Sequence, residues 1–145
     1  MIPPPGDIQL YGKVVTGFKA GGFNNLASTA DALPFDSEKT ISYEAGLKSR
    51  WWDNRIAVNA AVFYQRRKGA LVEVRDPLFS SIGVTYGVNA GLIENKGIEL
   101  DGRIRPIEGL DISLAGGYLD SEFKRFVSGG VDYSGNMLPT VYRYT

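Results

Sequence analysis

The sequence contains neither cysteine nor histidine. Without cysteine there is no disulfide framework and no thiolate metal site. Without histidine the chain lacks the commonest general base, the commonest transition-metal ligand and the usual partner of a serine nucleophile. No run of about 18 apolar residues is present, which excludes a transmembrane helix. The 16 basic and 16 acidic residues cancel, so no strong net field draws the chain to nucleic acid or to anionic lipid. The opening MIPPPGDIQL has no basic n-region and no apolar h-region, so it does not read as a signal peptide. Residues 1–6 are expected to be a loop or a cloning scar. A nucleophile–base pair could then be assembled only by rarer carboxylate or Lys chemistry, so the expectation is a protein that is no enzyme, with no catalytic residue, no cofactor and no metal site.

What the chain does have is glycine, aromatic residues and alternation. It holds 18 glycines and 12% aromatic residues and shows no long helical period, which points to an all-β fold. From Ile41 to Leu47 the residues Ile41, Tyr43, Ala45 and Leu47 take one parity and Ser42, Glu44 and Gly46 the other. The pattern returns in Ile56, Val58, Ala60, Val62 and Tyr64. A period of two is that of a strand with one apolar and one polar face. Two such arms around Trp51-Trp52-Asp53-Asn54 predict a β-hairpin. Arms of about 9–11 residues also match tilted transmembrane strands. Trp51 and Trp52 at the turn, with Tyr43, Tyr64 and Tyr118, are candidates for interfacial aromatic girdles. The paired indoles are weighed against a carbohydrate platform, and anchoring is preferred.

Along the chain the alternation predicts strands near residues 8–18, 41–50, 55–74, 87–105 and 110–123, all antiparallel neighbours in sequence order. A further strand is expected to begin at Val141. Turns at Trp51–Arg55 and Pro106–Gly109 are short, whereas the loops after Phe18, Val74 and Phe123 are long. Short turns at one end and long loops at the other describe an up-and-down meander of the outer-membrane kind. The fold expected is therefore a partial transmembrane β-barrel over residues 7–145, with short periplasmic turns and long extracellular loops. A soluble all-β structural or interaction domain that self-associates through its edge strands remains the alternative.

Few constellations carry chemistry. Glu99 and Asp101 share a strand face with Arg103 and Arg105, so neutralised wall charge is preferred over an acid/base or metal pair. Arg66-Arg67-Lys68 reads as a solvated strand end. Gly116-Gly117 reads as a bend or a close packing point rather than a phosphate loop. Phe63 lies on the polar parity of its strand and breaks the alternation.

Five blocks, GFKAGGFNN (17–25), ISYEAGLKSR (41–50), NAAVFYQRRKGALVEV (59–74), VNAGLIENKGIELDG (88–102) and GLDISLAGGYLDSEF (109–123), resemble in order and spacing successive barrel segments of TonB-dependent outer-membrane receptors. The resemblance implies a place in the bacterial outer membrane and a barrel of about 22 strands plugged by an N-terminal domain. It also implies energised uptake of ferric siderophores or similar bulky nutrients. The implied partners are outer-membrane lipid, the rest of the barrel, the plug, TonB acting through that plug, and a ligand such as a ferric siderophore. The plug and most of the barrel lie outside this sequence. The chain is therefore expected to be a piece, or a truncated product, from the barrel's later half. On this reading Glu44, Lys48, Asn59, Glu99, Asp101 and Arg103 face the lumen. Asn24, Asn25, Tyr86 and Tyr133 are the loop candidates for ligand contact.

Overall fold

The structure is a computed structural model that describes residues 6–25, 30, 33–76, 78, 81, 83–139 and 141–145. Most of the N-terminal loop (1–5), and Pro77 and Ser80 of the second loop, lie outside the described residues. The long strands are β1 (Asp7–Lys19), β4 (Glu38–Trp51), β5 (Ile56–Arg75), β6 (Thr85–Ile104) and β7 (Ile112–Arg125). Two short hairpins accompany them: β2 (Gly22–Phe23) with β3 (Pro34–Phe35), and β8 (Val127–Ser128) with β9 (Val131–Asp132). The long strands form one antiparallel sheet in the order β1-β4-β5-β6-β7. The expected meander is thus present, with the short connections 52–55 and 105–111 at one end. The described residues of the β1–β4 and β5–β6 connections, and those that directly follow β7, lie at the other end, which also carries both small hairpins.

Local chemistry sets the turns. Trp52, Asp53 and Asn54 all have φ between 51° and 66°. Asp and Asn accept this left-handed region far better than most residues, and Arg55 N–H closes the turn on Trp52 C=O at 2.9 Å. Gly109, at φ 83°, supplies the same freedom to the turn between β6 and β7.

The structure differs from the sequence reading in several places. β6 begins at Thr85, which puts Tyr86 in the strand opposite Val74 rather than in a loop, and β7 runs two residues later than expected. β4 begins at Glu38 rather than 41, because Glu38 and Lys39 still pair with Lys19 and Phe18 of β1. The third loop contains a hairpin, β8–β9. The last segment is no regular strand, although it lies along the outer edge of β7. Bridges join Met137 to Glu122 and Tyr144 to Tyr118, and Thr145 exchanges backbone hydrogen bonds with Gly117. That contact crowds Gly117, where a Cβ would lie 3.1 Å from the Thr145 hydroxyl, whereas one on Gly116 would make only ordinary contact, 3.5 Å from Thr145 C=O.

The apolar core does not run along the sheet. Ala70, Ala90, Ile93, Phe123 and Phe126 are its buried members, joined by Val72, Val74, Val88 and Leu138, and they gather at the long-loop end. Ala70 and Ala90 have even numbers, Ile93 and Phe123 odd ones, yet all share one face. The faces therefore exchange within β5 and β6. Gly69, at φ 66°, marks the exchange in β5, and a register shift at Leu92/Ile93 marks it between β6 and β7. A left-handed residue within a strand and a bulge that shifts the register can each reverse which side the following residues take.

Candidate functional site: a two-faced wall

Below the exchange the register stacks apolar residues in rows across the sheet. Trp51, Ile56, Ile104 and Ile112 form the lowest row. Ile8, Ser49, Val58, Gly102 and Leu114 come next, followed by Leu10, Leu47, Ala60, Leu100 and Gly116. Above them lie Gly12, Ala45, Val62, Ile98 and Tyr118, then Val14, Tyr43, Tyr64, Lys96 and Asp120. Much of this face is open: Leu10 is 76% exposed, Leu114 78%, Leu100 55%. From Trp51 to Tyr43 the strand rises about 27 Å. A tilt of about 40° makes this about 20 Å of height, close to the apolar band of an outer-membrane barrel.

The aromatic candidates bracket that band. Trp51 occupies the lowest row and Trp52 the turn beneath it. Tyr43 and Tyr64 stack in the top row with centroids 6.5 Å apart. The Tyr64 hydroxyl donates to Glu94 at 2.7 Å, one row higher, so its polar end points away from the band. Tyr118 sits one row lower, its ring 5.4 Å from that of Tyr144. The ion pair Lys96–Asp120 (3.2 Å) continues the top row.

The opposite face is polar and cross-linked. Glu44 holds Lys13 at 2.7 Å and accepts the Tyr11 hydroxyl at 3.0 Å, while Lys48 stands 5.6 Å above the Tyr11 ring. Asn59 donates to Asp101 at 2.7 Å. Asn95 donates to Gln65 at 2.9 Å and accepts the Ser121 hydroxyl. The misfit of Phe63 is resolved by its partner, because Phe63 opposes Gly97 and its ring fills the space a side chain there would need. Tyr11 lies over Gly46 in the same manner. An aromatic ring covering a cross-strand glycine is a known way to shield a bare backbone.

Two charge readings need correction. Arg103 and Arg105 do not neutralise Glu99 and Asp101. Both bind Asp111, Arg105 at 2.8 Å, because a partner at the turn approaches closer than a neighbour two positions along one strand. The Arg103 and then the Arg105 guanidinium hold the Asp111 carboxyl well below the usual carboxylate range. Nor are Arg66-Arg67-Lys68 all simply solvated, although β5 runs on past them to Arg75 as expected. Arg66 pairs with Glu94 at 3.3 Å, and Arg67 grips the buried Glu38 with two bonds of 2.8 and 3.0 Å. Glu38 also accepts the Leu71 N–H at 3.1 Å, just beyond Gly69.

At the long-loop end Tyr86, Phe126, Tyr133, Val74, Met137 and Leu138 line an open groove of about 950 Å³. Two of the four loop candidates, Tyr86 and Tyr133, thus come together. Asn25 is exposed at a turn. The side chain of Asn24 is bonded to both backbone groups of Gly87, at 2.8 and 2.9 Å. Asn89, which the sequence reading did not single out, does similar work: its amide bonds Asp36 N–H and C=O and Gly69 C=O at 2.7–2.9 Å. Together the two asparagines fasten the first long connection to β5 and β6. Nothing in the local sequence distinguishes Asn89 from an ordinary strand residue.

The TonB dependent receptor-like β-barrel family model matches residues 4–145. The pesticin receptor of Yersinia enterocolitica is 31% identical over 140 residues, covering 95% of this chain and 19% of the receptor. The metal-pseudopaline receptor CntO of Pseudomonas aeruginosa is 30% identical over 116 residues, 80% of this chain and 15% of that protein. The crystal structure of the ferric yersiniabactin uptake receptor FyuA from Yersinia pestis superposes with a TM-score of 0.68 at 27% identity, over 95% of this chain and 19% of that one. The chain therefore spans about a fifth or less of the length of these relatives. With its antiparallel strands, two-faced wall and sorted connections, the chain belongs to the β-barrel family of TonB-dependent receptors, proteins of the Gram-negative outer membrane.

Proposed function

We propose that the segment is a stretch of wall in a receptor that takes up ferric siderophores or similar bulky nutrients, in concert with a plug domain and TonB. The observation that carries this reading is the pairing of an exposed apolar band with a cross-linked polar face on the same strands. Such a wall has lipid on one side and water or a plug on the other. The relatives are receptors rather than enzymes, and the absence of histidine and cysteine agrees with that role. Trp51 and Trp52 would lie at the periplasmic interface, and Tyr43, Tyr64 and Tyr118 at the outer one. β5 and β6 are each 20 residues long, about twice what a bilayer needs. Their upper halves would stand clear of the membrane as the side of a vestibule. Tyr86 and Tyr133 would meet ligand there, Asn25 from the first loop, and Asn24 through the loop position it fixes.

The test is growth. The full-length receptor carrying this segment, expressed in a strain lacking its own siderophore receptors, should restore iron-limited growth on at least one of a panel of ferric siderophores, and only in cells with TonB. A soluble product, or growth that ignores TonB, would refute the reading.

A further inference from the structure

We propose that Lys39, Lys68 and Arg125 form an outward-facing site for the phosphate of an outer-leaflet lipid headgroup. The row directly above Tyr43 and Tyr64 is Thr16, Ile41, Arg66, Glu94 and Glu122, and the next is Phe18, Lys39, Lys68, Leu92 and Arg125. Four residues separate Lys39 from Tyr43, about 13 Å along the strand and about 10 Å in height once tilted. A lysine or arginine side chain at that height reaches the headgroup zone above an aromatic rim.

The charges there are unbalanced. Lys39 stands directly opposite Lys68, an arrangement of like charges that destabilises a sheet unless something lies between them. Among the described residues none of Lys39, Lys68 and Arg125 has an ion-pair partner. The nearby carboxylates are occupied, Glu94 by Arg66 and Glu122 by Lys124 at 2.7 Å. The site also has shape. The three cations share an open pocket of about 580 Å³ with Arg66, Gly91 and Leu92. A Cβ on Gly91 would lie 2.6 Å from Arg125 Nε, so the missing side chain is what lets the guanidinium lie across β6. A compact dianion between two ammonium groups and a guanidinium fits this set of donors. Ile41, one row lower, and Leu92, in the same row, supply apolar lining.

The inference rests on the proposed orientation, with the long loops outside the cell. It is tested on the full-length receptor in mild detergent by native mass spectrometry, with three probes: the phosphorylated glucosamine lipid lipid A, its dephosphorylated form, and inorganic phosphate. The phosphorylated lipid should be retained and the other two should not. Each of Lys39→Gln, Lys68→Gln and Arg125→Gln should weaken retention about fivefold, and the triple variant about a hundredfold. Arg55→Gln at the opposite end should leave it unchanged. Equal retention of both lipid forms, a triple variant that binds like the parent, or equal capture of inorganic phosphate would overturn the site. If the triple variant does not fold, the comparison of the two lipids on the native protein decides alone. A receptor absent from the outer-membrane fraction would refute the functional reading. An inserted, folded barrel indifferent to lipid phosphate would refute only this inference.

Discussion

Leu100 and Asp101 are adjacent in the chain and sit in different solvents. Leu100 lies in the middle row of the apolar band, while Asp101 accepts a hydrogen bond from Asn59 on the polar face. Leu100→Arg in the full-length receptor is therefore expected to cost about 2–4 kcal/mol and to block assembly. Asp101→Arg should assemble. Heat-modifiable mobility on gels reads both, and equal outcomes would mean that neither face meets lipid. Glu38 gives a second prediction. It is buried and satisfies both Arg67 and the Leu71 N–H, so Glu38→Gln should lower stability by about 1–3 kcal/mol. Faster hydrogen exchange at the Leu71 amide is the specific signature, and unchanged exchange there would count against the role. At this scale the sequence was readable where alternation alone decides, as for Leu100. It was silent where a cross-strand partner decides. Phe63 and Tyr11 need Gly97 and Gly46 opposite them, and register is not written in either strand by itself.

Among the elements, β5 is the instructive one. Lys68, Ala70, Val72 and Val74 continue the even parity of Val58, Val62 and Tyr64 without a break, so periodicity assigns them one common face. The structure turns the upper set to the other side at Gly69. A glycine inside a strand is the available signal for such a reversal, although it signals a close approach equally well. Gly69 and Gly83 both have positive φ, 66° and 74°, but a Cβ on Gly69 would meet Ser37 C=O at 2.9 Å, whereas one on Gly83 would meet nothing within 4 Å. Gly69→Ala should therefore cost about 2–3 kcal/mol and Gly83→Ala about 1 kcal/mol. Denaturant unfolding separates the two, and equal losses would remove crowding from the account. The long strands were placed to within about three residues because each carries a sustained period of two. The β2–β3 and β8–β9 hairpins are not legible in the sequence because two-residue strands carry no period at all.

As a whole, the sheet has more surface to hide than it has means of hiding it. Ile8, Leu10, Val14, Val62, Ile98, Leu100, Ile112 and Leu114 are between 49% and 78% exposed on one face. Soluble monomers rarely leave so much apolar area open. The outer edge of β1 also has no partner among the described residues, which invites pairing with another chain. Expressed alone in buffer, the segment is expected to self-associate and to show no uptake. Light scattering across a dilution series measures this, and a monodisperse monomer with a cooperative melt would favour the soluble-domain alternative.

The reversal at Gly69 has a bearing on how such walls can be recombined. Below it, the outward side chains answer to a bilayer, its acyl chains and then its headgroups, whose demands vary little from one membrane to the next. Above it the two sides of the strand have changed places and answer to loops and solvent. A splice made through Lys68-Gly69 and Gly91-Leu92 would therefore transplant a complete upper stave onto a foreign lower one, with the periodicity of each left intact.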